Sequence, residues 1–237
     1  MKNTIRSFKF IYPLIRYNFD NYPKVLEFDD TFKGVNGHPI PLKILSRSKI
    51  FNPSSAIIFP GASPDAEKHK GMLYLGSIIA NMGYTGYIPR IPPLKDLQLN
   101  KDCVNWFAHC YNELLERNSI DRKKVIAIGM SFGGGLLLKA SLDERISKNP
   151  PRSFMTFGTY NNLQTTLKYL CTGELNIDGK SYFIKPHEWG LVVLLHNFLD
   201  KFDFKEIKDC RDKVKEIIAL RIADDLDKVE QEIKSLP

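Results

Sequence analysis

The amino-acid sequence predicts an α/β fold, a mostly parallel sheet with helices on both faces. Three observations carry that prediction. Short, continuously apolar runs such as Ala56-Ile57-Ile58-Phe59 and Val125-Ile126-Ala127-Ile128 read as strands buried on both faces. They alternate with longer segments whose apolar residues recur every three or four positions, and strands alternating with helices imply parallel pairing through right-handed crossovers. Finally, 237 residues with 43% hydrophobic and 26% charged side chains suffice for one sizeable core or two small ones. Nothing in the chain is collagenous, low in complexity or swamped by charge.

Taken in order, the first segment interleaves Lys2, Arg6, Lys9 and Arg16 with Ile5, Phe8, Phe10, Ile11, Leu14 and Ile15. It lacks the unbroken apolar stretch and small-residue cleavage site of a secretory signal. Such a segment packs on its domain as a strand or short helix, or makes peripheral contact with a membrane surface. Residues 25–32 and 38–45 read as two strands, and Gly34, Asn36 and Gly37 between them suggest an antiparallel hairpin. Residues 56–60 form a short buried strand running into Gly61-Ala62-Ser63-Pro64. From Asp65 to Met82 the spacing of Met72, Leu75, Ile78, Ile79 and Met82 is helical, and Gly83 ends the helix. Residues 84–91 are the next strand, stopped by Pro92 and Pro93. Val104, Phe107, Cys110, Tyr111 and Leu114 mark one side of a helix over 102–117. A strand at 124–129, a helix from Ser131 to about Ser147 and a strand at 152–158 complete a core domain, residues 1–160.

Residues 161–237 differ. Short helical pieces, a turn at Thr172-Gly173-Glu174 and an aromatic stretch fill 161–200. Beyond 205, apolar residues from Ile207 to Leu236 line one face of a long helix or helix pair, heptad-like in its last part. The expectation is a helical, lid-like region.

The net charge is +7, and residues 1–49 hold nine basic against four acidic residues. This excess permits acidic partners or a membrane surface without requiring them, and it is not clustered on a nucleic-acid recognition motif. The longest uncharged apolar run, Trp189 to Leu199, is too short to span a bilayer as a helix. Cys103, Cys110, Cys171 and Cys210 are widely spaced without a CxxC pair, so neither a structural zinc site nor a disulfide scaffold is expected. Free thiols in a reducing compartment imply a cytoplasmic protein. No metal and no cofactor are implied: Gly133-Gly134-Gly135 lacks the ending of a phosphate loop, and no dinucleotide fingerprint is formed.

The chemistry concentrates in Gly129-Met130-Ser131-Phe132-Gly133, a Gly-x-Ser-x-Gly directly after a buried strand and directly before a helix. A turn this tight forces Ser131 into strained backbone angles, and side chains at 129 and 133 would clash with neighbouring chain. The Ser131 hydroxyl then stands at the carboxyl edge of the sheet, at a helix N-terminus that favours developing negative charge.

With this motif, residues 25–160 resemble the α/β-hydrolase superfamily, in particular its serine esterase, lipase and peptidase-like branches. The resemblance implies an eight-stranded, mostly parallel sheet with Ser131, the nucleophile, after the fifth strand. It implies an oxyanion hole of two backbone amides, those of Phe132 and of Ala62 in Pro60-Gly61-Ala62. Pro60 stands where the family often has His. The family's acid and His come after strands seven and eight. Downstream of Ser131 the only His are His187 and His196. His187, near Pro186 and Gly190, is the better candidate for a base, and His196 reads as a packed helix residue. His38, His69 and His109 have no family position, so no triad is assembled. Only 106 residues follow Ser131 and the lid-like region consumes most of them. The fold is therefore expected to be truncated, incomplete at the C-terminus without strands seven and eight, and a complementary C-terminal fragment becomes a candidate partner. The implied activity is acyl transfer to water from a small-molecule or lipid-like ester. The alternative is a non-catalytic scaffold that acts as a binding or interaction domain.

Overall fold

The computed structural model describes residues 2–18, 20–186, 188–201 and 205–235. The chain divides into two compact units, Met1–Tyr160 and Asn161–Pro237.

The first unit opens with helix α1 (Lys2–Arg16), followed by strands β1 (Leu26–Lys33), β2 (Pro39–Ser46) and β3 (Ser55–Phe59). Helix α2 (Lys70–Asn81), strand β4 (Thr85–Pro89), the short helix α3 (Pro92–Lys95) and helix α4 (Asp102–Leu115) come next. Strand β5 (Val125–Met130), helices α5 (Phe132–Ala140) and α6 (Glu144–Ser147) and strand β6 (Ser153–Phe157) finish it. The six strands form one sheet in the order β1-β2-β4-β3-β5-β6. β1 and β2 are the expected hairpin, β2 also pairs antiparallel with β4, and β4, β3, β5 and β6 run parallel. The result is a mixed sheet, mostly parallel, with helices packed against both faces.

Side chains along the strands alternate between two cores, as a period of two requires. Ile57, Phe59 and Tyr87 join α4 and α5 on one face, where Phe59 stacks on Phe107 at 4.6 Å. Ala56, Ile58, Ile88 and Ile128 join Met72, Leu75 and Ile79 of α2 on the other. Both central strands, β3 and β4, are buried along their whole length, which is why their sequences are apolar without alternation.

The amino-terminal segment takes the helical one of its two expected forms. Three other local readings are corrected. The helix expected from Ser131 to Ser147 is two, because the Asp143 carboxylate accepts from the Arg145 amide at 3.0 Å and starts α6 afresh. The strand expected over 84–91 ends at Pro89, and Pro92-Pro93 open α3 instead of merely stopping a strand. The helix expected from Asp65 begins at Lys70, after a 3₁₀ turn at Ala66–Lys68. Its end is as expected: Gly83 takes φ +97°.

The second unit contains α7 (Leu163–Thr172), the hairpin β7 (Glu174–Ile177) and β8 (Lys180–Phe183), then α8 (Glu188–Phe198), α9 (Lys205–Ile222) and α10 (Leu226–Lys234). The expected turn at Thr172-Gly173-Glu174 ends α7 with Gly173 at φ +74°, and the hairpin that follows takes in Tyr182 and Phe183 of the aromatic stretch. Its two strands form a sheet of their own, separate from the six-stranded one. Among the described residues no helix is long and apolar enough to cross a membrane.

Candidate active site

One residue makes the turn between β5 and α5. Ser131 takes φ +49°, ψ −127°, outside the region open to ordinary L-residues. Two hydrogen bonds hold it there: its amide donates to the Phe157 carbonyl of β6 at 2.7 Å, and its carbonyl accepts from the Gly134 amide at 3.0 Å. The glycines around it are required by close approach. A Cβ at Gly129 would lie 2.6 Å from Gly134 Cα, and one at Gly133 would overlap the Pro60 carbonyl oxygen. The walls continue with Thr159 against Gly134 and the Tyr160 ring against Gly135. Tyr160 also packs on Phe132 at 5.7 Å between ring centroids, and burial raises its phenol pKa.

The same packing places the loop after β3. A Cβ on Gly61 would stand 3.2 Å from both the Met130 carbonyl oxygen and Ser131 Cβ. Pro60-Gly61-Ala62 and the turn at Ser131 are thus pressed backbone to backbone. The loop is fixed further along by Ser63, whose amide donates to the Leu94 carbonyl at 3.2 Å and whose carbonyl accepts from Ala66 at 3.1 Å. Next to Ala66, the buried Glu67 carboxylate receives both arms of the Arg90 guanidinium, at 2.9 and 2.6 Å. That hydrogen bond, ahead of the ion pair itself, raises the Arg90 pKa. The Arg90 amide in turn donates to the Pro41 carbonyl of β2 at 2.9 Å, so the loop is tied to the strands. No local pattern announces this pair, since Glu67 and Arg90 are 23 residues apart.

Phe132 is the first residue of α5, and the first amides of a helix have no acceptor within it. They carry the partial positive charge of the helix end toward the exposed Ser131 side chain.

Two histidines of this unit have a ring nitrogen engaged elsewhere, and the third lies in a turn. His69 Nδ1 accepts from the Gly71 amide at 3.1 Å, so His69 caps α2 rather than lying within it. His109 Nε2 meets the Lys33 carbonyl at 2.8 Å and ties α4 to β1. His38 sits in the β1–β2 turn, its amide donating to Asn36 Oδ1 at 3.2 Å. In the other unit, His196 lies on α8 as expected but exposed and not packed, and His187, the candidate base, lies outside the described residues. Among the described residues Ser131 Oγ makes no side-chain capping hydrogen bond, and no group of three or more His, Cys, Asp or Glu is arranged to hold a metal. A cavity of about 360 Å³ opens at the opposite end of the sheet, between Arg47, Phe51, Asn52 and Tyr84, away from Ser131.

No protein-family model matches the sequence, and no curated protein does. Solved structures similar in fold include esterase Est22, at 16% identity and a TM-score of 0.43, covering 67% of this chain and 52% of that one. The apo form of ESTFA is similar at 15% identity and a TM-score of 0.48, covering 72% and 58%. A hyperthermophilic esterase from the archaeon Pyrobaculum calidifontis is similar at 18% and 0.42, covering 71% and 58%. The chain spans little more than half the length of these structures.

Proposed function

We propose that the chain carries the nucleophile and oxyanion hole of a serine hydrolase that transfers acyl groups to water. The observation that carries this reading is the backbone of Ser131, bent to φ +49° between strand and helix with the Gly61 loop pressed against it. Strain of this kind costs about 1–3 kcal/mol and persists where the surroundings over-determine it, as they do around a working nucleophile.

In this reading Ser131 Oγ attacks the carbonyl carbon of an ester or related substrate and its proton passes to a base, with His187 the candidate. The carbonyl oxygen takes up the electron pair as an oxyanion, facing the amides of Phe132 and Ala62. The C–O bond to the leaving group breaks, the leaving alkoxide takes the proton from the base, and an acyl-serine remains. Water then attacks the acyl carbon, releasing acid and Ser131. Losing one oxyanion donor in such a site costs about 3 kcal/mol of transition-state stabilisation. The unit 161–237 takes the part of a lid in this proposal. The esterase activity in the names of the similar structures agrees with it.

A second reading, a non-catalytic scaffold, is favoured by one observation: the three histidines of the Ser131 unit cap, brace or flank other elements. Labelling with a fluorophosphonate separates the two. Modification that disappears in Ser131→Ala supports the hydrolase. Equal labelling of both proteins, or labelling of neither, overturns it.

A further inference from the structure

We infer that α1 is a membrane-contact helix, which lays an exposed apolar stripe into the interface of an anionic lipid surface. The helix has two apolar faces where one would suffice for packing. Phe10 meets the Phe157 ring of β6 at 6.3 Å between centroids, Pro13 is buried, and the Tyr74 hydroxyl donates to the Leu14 and Tyr17 carbonyls at 3.3 and 3.4 Å. That side secures the helix to its domain. On the other side Phe8, Ile11, Tyr12 and Ile15 follow one another at three- and four-residue spacing and so share a face. They are 70%, 51%, 47% and 79% exposed. Isolated exposed apolar residues are ordinary, but a continuous stripe of four on one helix marks a contact surface.

The charge of the segment selects the occupant. Residues 1–19 hold Lys2, Arg6, Lys9 and Arg16 and no acidic residue. Arg16 donates to the Tyr12 hydroxyl at 2.5 Å and its guanidinium lies 5.7 Å from the centre of that ring. A helix with an exposed face of bulky apolar residues, in a segment of basic residues without acids, has the chemistry of an interfacial helix at anionic headgroups. A helix this short cannot span a bilayer.

The placement also has a consequence for the proposed site, on whose reading this one point rests. Phe157, which α1 touches through Phe10, is the residue whose carbonyl holds the Ser131 amide. A lipid-bound α1 therefore sits one residue removed from the nucleophile turn, as suits a lipid-like ester substrate.

The test is co-sedimentation of the full chain with vesicles of phosphatidylcholine, alone or mixed with phosphatidylserine, at low and high salt. The expected result is binding to the mixed vesicles that weakens at high salt, and a partition coefficient lowered about tenfold or more by Phe8→Asp with Ile15→Asp. Ile50→Asp, which removes an 85% exposed apolar residue outside α1, should leave binding unchanged, as should Ser131→Ala. Circular dichroism of each variant checks the fold. Equal binding to both vesicle types, no binding, or equal loss with Ile50→Asp overturns the inference. So does a concentration-dependent dimer abolished by the Phe8 and Ile15 changes, which assigns the stripe to a second copy of the chain. Because Ser131→Ala is expected to bind vesicles normally, failure here and failure of the hydrolase reading are separable.

Discussion

At Ser131 a Cβ is carried through backbone angles that glycine tolerates better, and the surroundings hold it there by two hydrogen bonds and the contacts of Gly61. Ser131→Ala keeps the Cβ and its strain, whereas Ser131→Gly releases it. Glycine loses more chain entropy on folding, which offsets part of the gain. Ser131→Gly is expected to be the more stable of the two by about 1 kcal/mol in urea unfolding, and equal midpoints would sink the strain argument. Gly133→Ala should cost about 3 kcal/mol, because its methyl group meets the Pro60 carbonyl, a backbone atom that cannot rotate away. The glycine spacing made this turn legible in the sequence, since close approach leaves a residue-type signature. The base left no such trace: a histidine looks the same in sequence whether it caps a helix, as His69 does, or abstracts a proton.

Among the elements, the loop after β3 depends on the Glu67–Arg90 pair. Arg90→Met leaves a buried carboxylate without its partner and should cost about 3 kcal/mol. The double variant Glu67→Gln with Arg90→Met should cost less than the sum of the single changes, measured as a double-mutant cycle. Slower fluorophosphonate labelling of Arg90→Met than of Arg90→Lys would show that the pair also positions the loop. At α6 the Arg145 guanidinium, through its hydrogen bond first, lowers the Asp143 carboxyl to about 2. A folded pKa below the unfolded one stabilises above the unfolded value near 3.8, and the contribution is lost as pH falls through about 2. Asp143→Asn should therefore destabilise at neutral pH by about 1 kcal/mol or less and match the wild type below pH 2; a penalty independent of pH would refute the linkage. The elements themselves were unevenly legible. Buried strands announced themselves because both faces must be apolar. The hairpin β7–β8 carries its signal in Asp178-Gly179, at φ +51° and +76°, a pair suited to a two-residue turn. Its strands are too short and too exposed to advertise themselves by alternation. The amino-terminal segment resisted assignment because two apolar faces on one helix leave no clean period.

For the whole molecule, the sheet order ranks the strands. β3 lies between β4 and β5 and is fully buried, while β6 ends the sheet and is half-buried at best. Amides of β3 should exchange hydrogen far more slowly than those of β6, and comparable protection would contradict an open edge there. The cysteines divide in the same way. Cys103 and Cys110 are buried, and burial raises both thiols, Cys110 well above its ordinary value, whereas Cys171 is exposed. A thiol reagent should modify Cys171 in the native protein and reach Cys103 and Cys110 only on unfolding.

The sequence by itself determined the class of the fold, the strands of its sheet and the position of the strained serine. These depend on local composition: burial on both faces, helical spacing, glycine where no side chain fits. Tertiary structure alone decided which histidines are occupied, that Glu67 and Arg90 pin the loop beside Ser131, and that α1 turns a second apolar face to solvent. Each of these depends on the approach of residues distant in the chain, or on which of two equivalent faces finds a partner. Neither leaves a mark on the local order of amino acids.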